Sequence, residues 1–451
     1  MTTTEKIASF IAETDFDTTS AKENEVVKRV FLDCIGTTLA GYTHEMGKII
    51  TDFVKESGSS PRATVIGAGF KTSPADAALA NGTMAHALDY DDYNLVLCGH
   101  PSVSLVPAIL ALGEERGISG KKALEAYIKG YEVEFKLGAA LNLRHYELGW
   151  HATCTLGTMG AVAAAAVILE LDVETTRIAL GIAASEAGGL RQNFGTMTKP
   201  LHAGLSAKNG VTAALLAAKG FTADKNIFEA EYGFCNLFCG KEKYNIEALT
   251  DNLGNPYAVL EPGISIKPYP SCGGTHTALD GILDLVKTNN IKPDDVQQIK
   301  VGCSDLLPRV LIHSNPKSGL EGKFSMEYCM AIALLDKKAG LEQFTDEKAA
   351  DPITVKTVKK VKIETRPLND NKTDVFVEVT IKLNNGTELS TQVDTAKGNP
   401  DAPLSTEELT AKFKDCAILV LPENNADRII AVMDDLENIQ DIRELTQLLI
   451  P

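Results

Sequence analysis

The stretch AGLSAKNGVTAALLAAKG, Ala203 to Gly220, decides the fold class. It holds small residues at most angles of a helical wheel, with Leu205, Val211, Leu215 and Leu216 as its larger apolar side chains and Lys208 and Lys219 as its only charges. Such a helix is apolar on most sides but thin, which suits the tightly packed centre of a helical domain where axes approach closely. Gly220 stands where a helix would hand over to a left-handed C′ residue. Two further segments share this texture, Gly157 to Leu169 and Ile178 to Gly189. Upstream, Val26, Val27, Val30, Phe31, Cys34 and Ile35 recur at helical spacing. Ser73-Pro74 reads as an N-cap with Pro at the first helical position, opening a helix from Ala75 to Leu88. The first 266 residues are therefore expected to be helices joined by short loops.

From about Ile266 the pattern changes. Gln297 to Ser304, Val358 to Thr365 and Val375 to Leu383 alternate and are rich in β-branched residues, as strands do. Asn384-Asn385-Gly386 reads as a hairpin turn into a further strand, Thr387 to Val393. A helical stretch, Phe324 to Leu335, separates the first two strands. Pro and Gly at 398–403 punctuate the end of this region. Helical patterns then resume at Ser405, with Leu445, Leu448 and Leu449 on one face. The fold class is thus mainly α with an inserted α+β domain: helical residues 1–266 and 401–451, and a smaller α+β domain at 267–400.

The chain has 451 residues, with 44 Lys plus Arg against 60 Asp plus Glu, a net charge of -16. That balance speaks against a nucleic-acid or anionic-membrane partner, which would need a basic footprint. No apolar run reaches membrane-spanning length, and the N-terminus lacks the apolar core of a secretory signal. Nine scattered cysteines with no C-x-x-C pair suggest reduced thiols and a cytoplasmic location. Cys235 and Cys239 stand four apart but have no second pair to complete a metal site. No dinucleotide fingerprint, Walker A sequence, H-E-x-x-H or G-x-S-x-G is present, so no nucleotide, catalytic zinc or serine nucleophile is expected.

The informative feature is where the cationic residues fall. His100 precedes Pro101-Ser102, where a helix opens. His151 precedes an Ala-rich helix, Lys199 and His202 flank Pro200, and His276 follows the loop Ser271-Cys272-Gly273-Gly274. A cation at a helix start is disfavoured by about 0.3–1 kcal/mol, unless an anion also binds there. No acidic residue lies between Asp92 and Glu114, Glu147 and Glu170, Glu186 and Asp224, or Glu261 and Asp280. Each gap contains at least one of these cationic positions, and the third, with Lys199 and His202, also holds Arg191. A lone histidine at a helix start is ordinarily a packed or capping residue; the co-occurrence is what points to a pocket for a small di- or tricarboxylate. The cluster Asp89-Tyr90-Asp91-Asp92 could hold a hard cation or orient a histidine, and no resident metal is expected. Cys272 could be an activated thiolate, although Gly273-Gly274 is equally explained by close approach of a ligand.

The segments AHALDYDD…GHPSVSLVPAILALGE, GWHATCTLGTMGAVAAAA, LRQNFGTMTKPLHAGLSAKNGVTAALLAAKGFTA and IKPYPSCGGTHTALDGIL resemble the MmgE/PrpD family. That family includes 2-methylcitrate dehydratases, cis-aconitate decarboxylases and iminodisuccinate epimerases. The resemblance implies a large helical domain with an α+β lid, a homodimer, and no cofactor. It places Asp89, His100, His151 and Lys199 in catalysis, with His100 and His151 as the acid/base pair, Lys199 holding carboxylates and Asp89 orienting a histidine. Substrate contacts are expected from Tyr93, Arg191, His202, Lys267, Cys272, His276 and Tyr328. Three departures from the decarboxylases favour dehydration: Tyr93-Asn94 in one pocket wall, a longer Asp89–His100 spacing, and Cys272 where those enzymes carry histidine. The expected function is a 2-methylcitrate dehydratase-like hydro-lyase, with decarboxylation or epimerisation of a related acid as alternatives.

Overall fold

The computed structural model describes residues 1–14, 16, 20–366 and 377–451. The chain forms two compact units. The first comprises Met1–Ala87, Asp91–Ile264 and Ser405–Pro451; the second comprises Leu88–Tyr90 and Ser265–Leu404. The first is helical and the second is α+β, so the protein is mainly α with an inserted α+β portion.

In the helical unit, local chemistry sets most boundaries. Ser73 caps the Pro74–Ala85 helix by accepting from the Asp76 N–H. This helix ends at Ala85, with His86 as its C-cap, rather than running on to Leu88. The first Ala-rich helix begins earlier than expected, at Ala152, with His151 in the N-cap position, and runs to Ile168 fully buried. The next spans Val173–Glu186, opened by the Asp172 carboxylate. Ala203 to Gly220, the thin Ala-rich stretch, lies almost wholly in a helix from Thr198 to Ala218.

Small residues bring three of these helices unusually close. A Cβ on Gly82 would lie 2.9 Å from Gly204 Cα, and one on Gly204 would collide with the Leu79 carbonyl. A Cβ on Gly210 would lie 2.6 Å from the Ala161 carbonyl carbon. The Thr198–Ala218 helix therefore packs backbone to backbone on the Pro74–Ala85 and Ala152–Ile168 helices, as its thin profile requires. One short hairpin, β1 Ala63–Val65 with β2 Phe70–Thr72, is an addition to the expected elements. Its strands are three residues each, too short for a period-two signal.

The C-terminal segment belongs to this same unit. Its Thr406–Ala417 helix is joined to the Ala21–Tyr42 helix by a buried pair, Lys412 Nζ to Asp33 Oδ1 at 2.5 Å. Leu445, Leu448 and Leu449 are buried as the pattern implied.

The α+β unit is built on a four-stranded sheet of order β4-β3-β5-β6, with β3 Val296–Ser304, β4 Val361–Arg366, β5 Val377–Leu383 and β6 Glu388–Val393. β3 runs parallel to β4, with Ile299 opposite Val361, and antiparallel to β5, with Val301 opposite Val379. Buried Val377, Val379 and Ile381 alternate along β5 and pack with residues of the His276–Thr288 and Met326–Asp336 helices. β4 begins at Val361, not Val358, because Asp351 and Pro352 start a helix that runs through Val358. The start expected for β5, Val375, lies outside the described residues. The hairpin turn has Gly386 at φ 89°, a left-handed value that suits glycine. Among the described residues, no helix is long and apolar enough to cross a membrane.

Candidate active site

The helical unit gathers five of its cationic-type residues at the ends of three helices. His86 sits at the C-terminal end of the Pro74–Ala85 helix, and Lys199 and His202 sit in the first turns of the Thr198–Ala218 helix. The Gly82–Gly204 crossing brings these two ends together. His151 opens the Ala152–Ile168 helix, and the backbone N–H of His100 donates to Thr153 Oγ1 in that helix's first turn, at 3.1 Å.

A chain of short polar contacts links them. Lys199 Nζ lies 2.8 Å from His86 Nε2. His86 Nδ1 lies 2.9 and 3.0 Å from the two oxygens of Asp91. Asp91 Oδ2 lies 2.9 Å from His100 Nδ1, which is also 2.9 Å from the Asp92 carbonyl oxygen. Beside this chain, His151 Nδ1 and His202 Nδ1 are 3.0 Å apart, so one donates and the other accepts. The Phe194 ring meets His151 edge-on at 5.0 Å and places its face 5.4 Å from Lys199 Nζ. Of the chain's members His100 has the most exposed side chain, at 14%, whereas the side chains of His86 and Asp91 are at 0%.

The electrostatics follow from this crowding. Burial pushes the His86 imidazole down to about 3, with Asp91 opposing the shift and Lys199 adding to it. Burial takes His202 down to about 4, again helped by Lys199. His151 is held well below its ordinary value by burial, then by Lys199 and the neighbouring histidines. These three are therefore neutral imidazoles near neutral pH. Burial alone would raise the Asp91 carboxyl, but His86 and His100 bring it well below the usual range, so it is ionised. Asp92 behaves oppositely. Burial pushes its carboxyl well up, although Ser102 donates to it from both its N–H and its hydroxyl. Through Ser102 and Tyr127, whose hydroxyls lie 2.7 Å apart, Asp92 anchors the start of the Ser102–Arg116 helix behind His100.

Metal-ligating atoms of His86, Asp91 and His100 lie within 4.8 Å of one another. Both Asp91 oxygens already face ring nitrogens, and Lys199 sits on His86 Nε2. A cation there would meet a lysine ammonium at its side, so the donor set fits a hydrogen-bond chain better than a metal.

The other expected residues fall outside this chain. Tyr93 is half-buried in the loop between Asp92 and the short Asn94–Gly99 bridge. Arg191 stacks on Tyr146 at 3.7 Å and donates to its carbonyl. In the α+β unit, Lys267 is fully buried and donates to the Asp89 carbonyl at 2.9 Å, with the Asp89 carboxylate at 3.2 Å. In that unit Asp89 thus engages a lysine; the carboxylate that holds histidines in the helical unit is Asp91. His276 Nε2 donates to the Ser271 carbonyl at 3.1 Å, and its ring abuts Tyr269. The Cys272 N–H donates to the Lys323 carbonyl. Lys323 Nζ in turn donates to the Leu88 and Pro270 carbonyls. Tyr328 is buried with its hydroxyl given to the Gln343 carbonyl.

Two groups of the site, His86 and Phe194, are not signalled by the sequence, and Asp91 is signalled only as one of the Asp89–Asp92 cluster, with Asp89 the expected orienting acid. His86 stands at a helix end, where a search for cations at helix starts does not look. Phe194 falls inside one of the family-like segments but carries no charge to draw attention.

Residues 5–247 match the model of the MmgE/PrpD N-terminal domain and residues 269–438 that of the MmgE/PrpD C-terminal domain. A mouse cis-aconitate decarboxylase is 30% identical over 436 residues, covering 94% of this chain and 88% of its own. An Aspergillus terreus cis-aconitate decarboxylase is 29% identical over 413 residues, covering 85% and 83%. A Yarrowia lipolytica mitochondrial 2-methylcitrate dehydratase is 25% identical over 375 residues, covering 77% and 70%.

Proposed function

The chain belongs to the MmgE/PrpD family, and on that premise we propose that it is a lyase acting on a small tricarboxylate by proton transfer between side chains. The observation that carries this reading is the chain Lys199–His86–Asp91–His100 beside the neutral pair His151–His202. The chemistry uses the helical unit's own residues. Lys199 would hold a substrate carboxylate and stabilise the negative charge that develops when the adjacent C–H is broken. His100, fixed through Nδ1 by Asp91, would take that proton on Nε2. A tricarboxylate brings negative charge to His151, whose imidazole is kept neutral first by burial and then by Lys199 and the neighbouring histidines, and so opposes the shift. Substrate binding would thus recruit the proton that the departing hydroxyl carries away as water.

The reading as a hydro-lyase rests on the departures at Tyr93, Cys272 and the Asp89–His100 spacing. A second reading, decarboxylation, is favoured by the greater identity and coverage of the decarboxylase relatives. In it the C–C bond to a carboxylate breaks, CO₂ leaves, and a histidine protonates the remaining carbon. Incubation with 2-methylcitrate and with cis-aconitate separates the two. A rise in alkene absorbance without CO₂ supports the first, and trapped CO₂ the second. Exchange of substrate C–H for deuterium with neither product would overturn both in favour of an isomerase. Lys199→Ala is expected to lower turnover by about 10²-fold or more with the melting temperature nearly unchanged; near-normal rates would sink the assignment.

A cytoplasmic setting is part of this proposal, supported by nine cysteines that form no disulfide, seven of them buried. So is a homodimer, supported by the exposed apolar side chains of Leu190 and Met197; sedimentation of the purified chain as a monomer would remove it.

A further inference from the structure

We propose that His86 is a positioning residue that joins Lys199 to Asp91, and so sets the place of the carboxylate-holding ammonium and of the proton-transferring imidazole of His100 together. The inference rests on the roles given above to Lys199 and His100, and adds a residue to them.

The argument is one of donors and acceptors. Lysine ammonium has only N–H groups to give, so His86 Nε2, 2.8 Å away, must accept. The ring's proton then resides on Nδ1, which lies 2.9 and 3.0 Å from the Asp91 oxygens and donates to them. Asp91 is ionised and can only accept, so its second contact, at 2.9 Å, must be a donation from His100 Nδ1. The sense of every bond is therefore forced from the lysine end. It leaves His100 with its proton on Nδ1 and with Nε2 as the basic atom, the state a proton-abstracting imidazole needs before turnover. The rings of His86 and His100 lie 4.4 Å apart on the shared carboxylate, so neither can turn without disturbing the other's bond. Burial keeps the middle link neutral; Asp91, Lys199 and His100 act on it, and the His151 ring, stacked 6.1 Å away, is the further titratable group that faces it. A doubly protonated His86 could not accept from Lys199, and the opposite tautomer would set two donors against each other.

The first test needs no substrate. The full chain is labelled with ¹⁵N-histidine, and long-range ¹H–¹⁵N spectra are recorded between pH 7 and 5. The His86 signals are assigned by their loss in His86→Gln. The expected pattern is a proton on Nδ1 and a bare Nε2 throughout; an Nε2–H tautomer, or a doubly protonated ring at pH 6, overturns the proposal.

The second test compares His86→Leu with His86→Gln, whose amide can both give and accept a hydrogen bond. Turnover should fall about 10–100-fold in the Leu variant, with partial recovery in the Gln variant and displaced His100 ring signals in the Leu variant. Equal losses that only track the folded fraction by circular dichroism would make His86 a packing residue and overturn the proposal. If His86→Leu does not fold, the wild-type tautomer still decides. If the wild type turns over neither acid, the functional reading fails, while the tautomer result stands or falls separately.

Discussion

Asp89, Asp91 and Asp92 lie within four residues, yet each meets a different fate. Asp89 has a left-handed backbone, φ 50°, which turns the chain so that neighbouring side chains leave in different directions. No periodicity in the sequence encodes that turn, which is why the orienting acid could not be singled out from the three. Charge and residue type, by contrast, did mark His100, His151, Lys199 and His202 for one neighbourhood. A second buried acid shows what the helical core tolerates. Glu134 is fully buried among Gly157, Gly160 and Ser104, and neither carboxyl oxygen has a hydrogen-bond partner among the described residues. Burial pushes it well above 4.5, and Asp92 adds to the shift. The folded protein then keeps a proton that the unfolded chain releases above about pH 4.5, so this residue costs stability as pH rises through that value toward its folded pKa. In urea unfolding, the stability difference between Glu134→Gln and the wild type should tilt toward the variant across that range. The slope should reach up to about 1.4 kcal/mol per pH unit; a difference independent of pH would contradict it.

The helices were largely readable as elements because their Ala and Gly content is extreme and their caps are local. What could not be read was which small residues touch. Gly82 and Gly204 are the ones that matter, since their contact sets the Lys199–His86 distance. Gly204→Val should push the two helices apart and cost about 1–3 kcal/mol in denaturant unfolding. Turnover should fall further than the lost folded fraction explains, because Lys199 and His86 separate. A variant with wild-type stability and rate would show that the crossing does not position the site. Strands were legible where alternation ran for six residues or more, as in β5, and not where a three-residue hairpin left no pattern to count.

At the scale of the molecule, the helical unit is discontinuous: its last part returns after the α+β insertion. Lys412 and Asp33 hold that return. The two side chains are nearly water-free, so removing one partner strands the other's charge. Lys412→Met should lose about 3–5 kcal/mol, and Asp33→Leu with Lys412→Met together should regain most of it. Equilibrium unfolding of the three chains measures this; a single variant within about 1 kcal/mol of the wild type would leave the pair with no part in closing the unit. The net charge of -16 also takes on a local meaning here. Acidic residues crowd the surface, while the carboxylates drawn into the site are few and each has a fixed neighbour. Directly beside His151 stands Trp150, the chain's single tryptophan, which meets the Phe238 ring edge-on at 4.8 Å. The protein therefore carries one indole emitter, adjacent in sequence to the candidate acid. Its fluorescence colour and quenching are a native gauge of anything that rearranges His151, with no second tryptophan to subtract and no dye to attach.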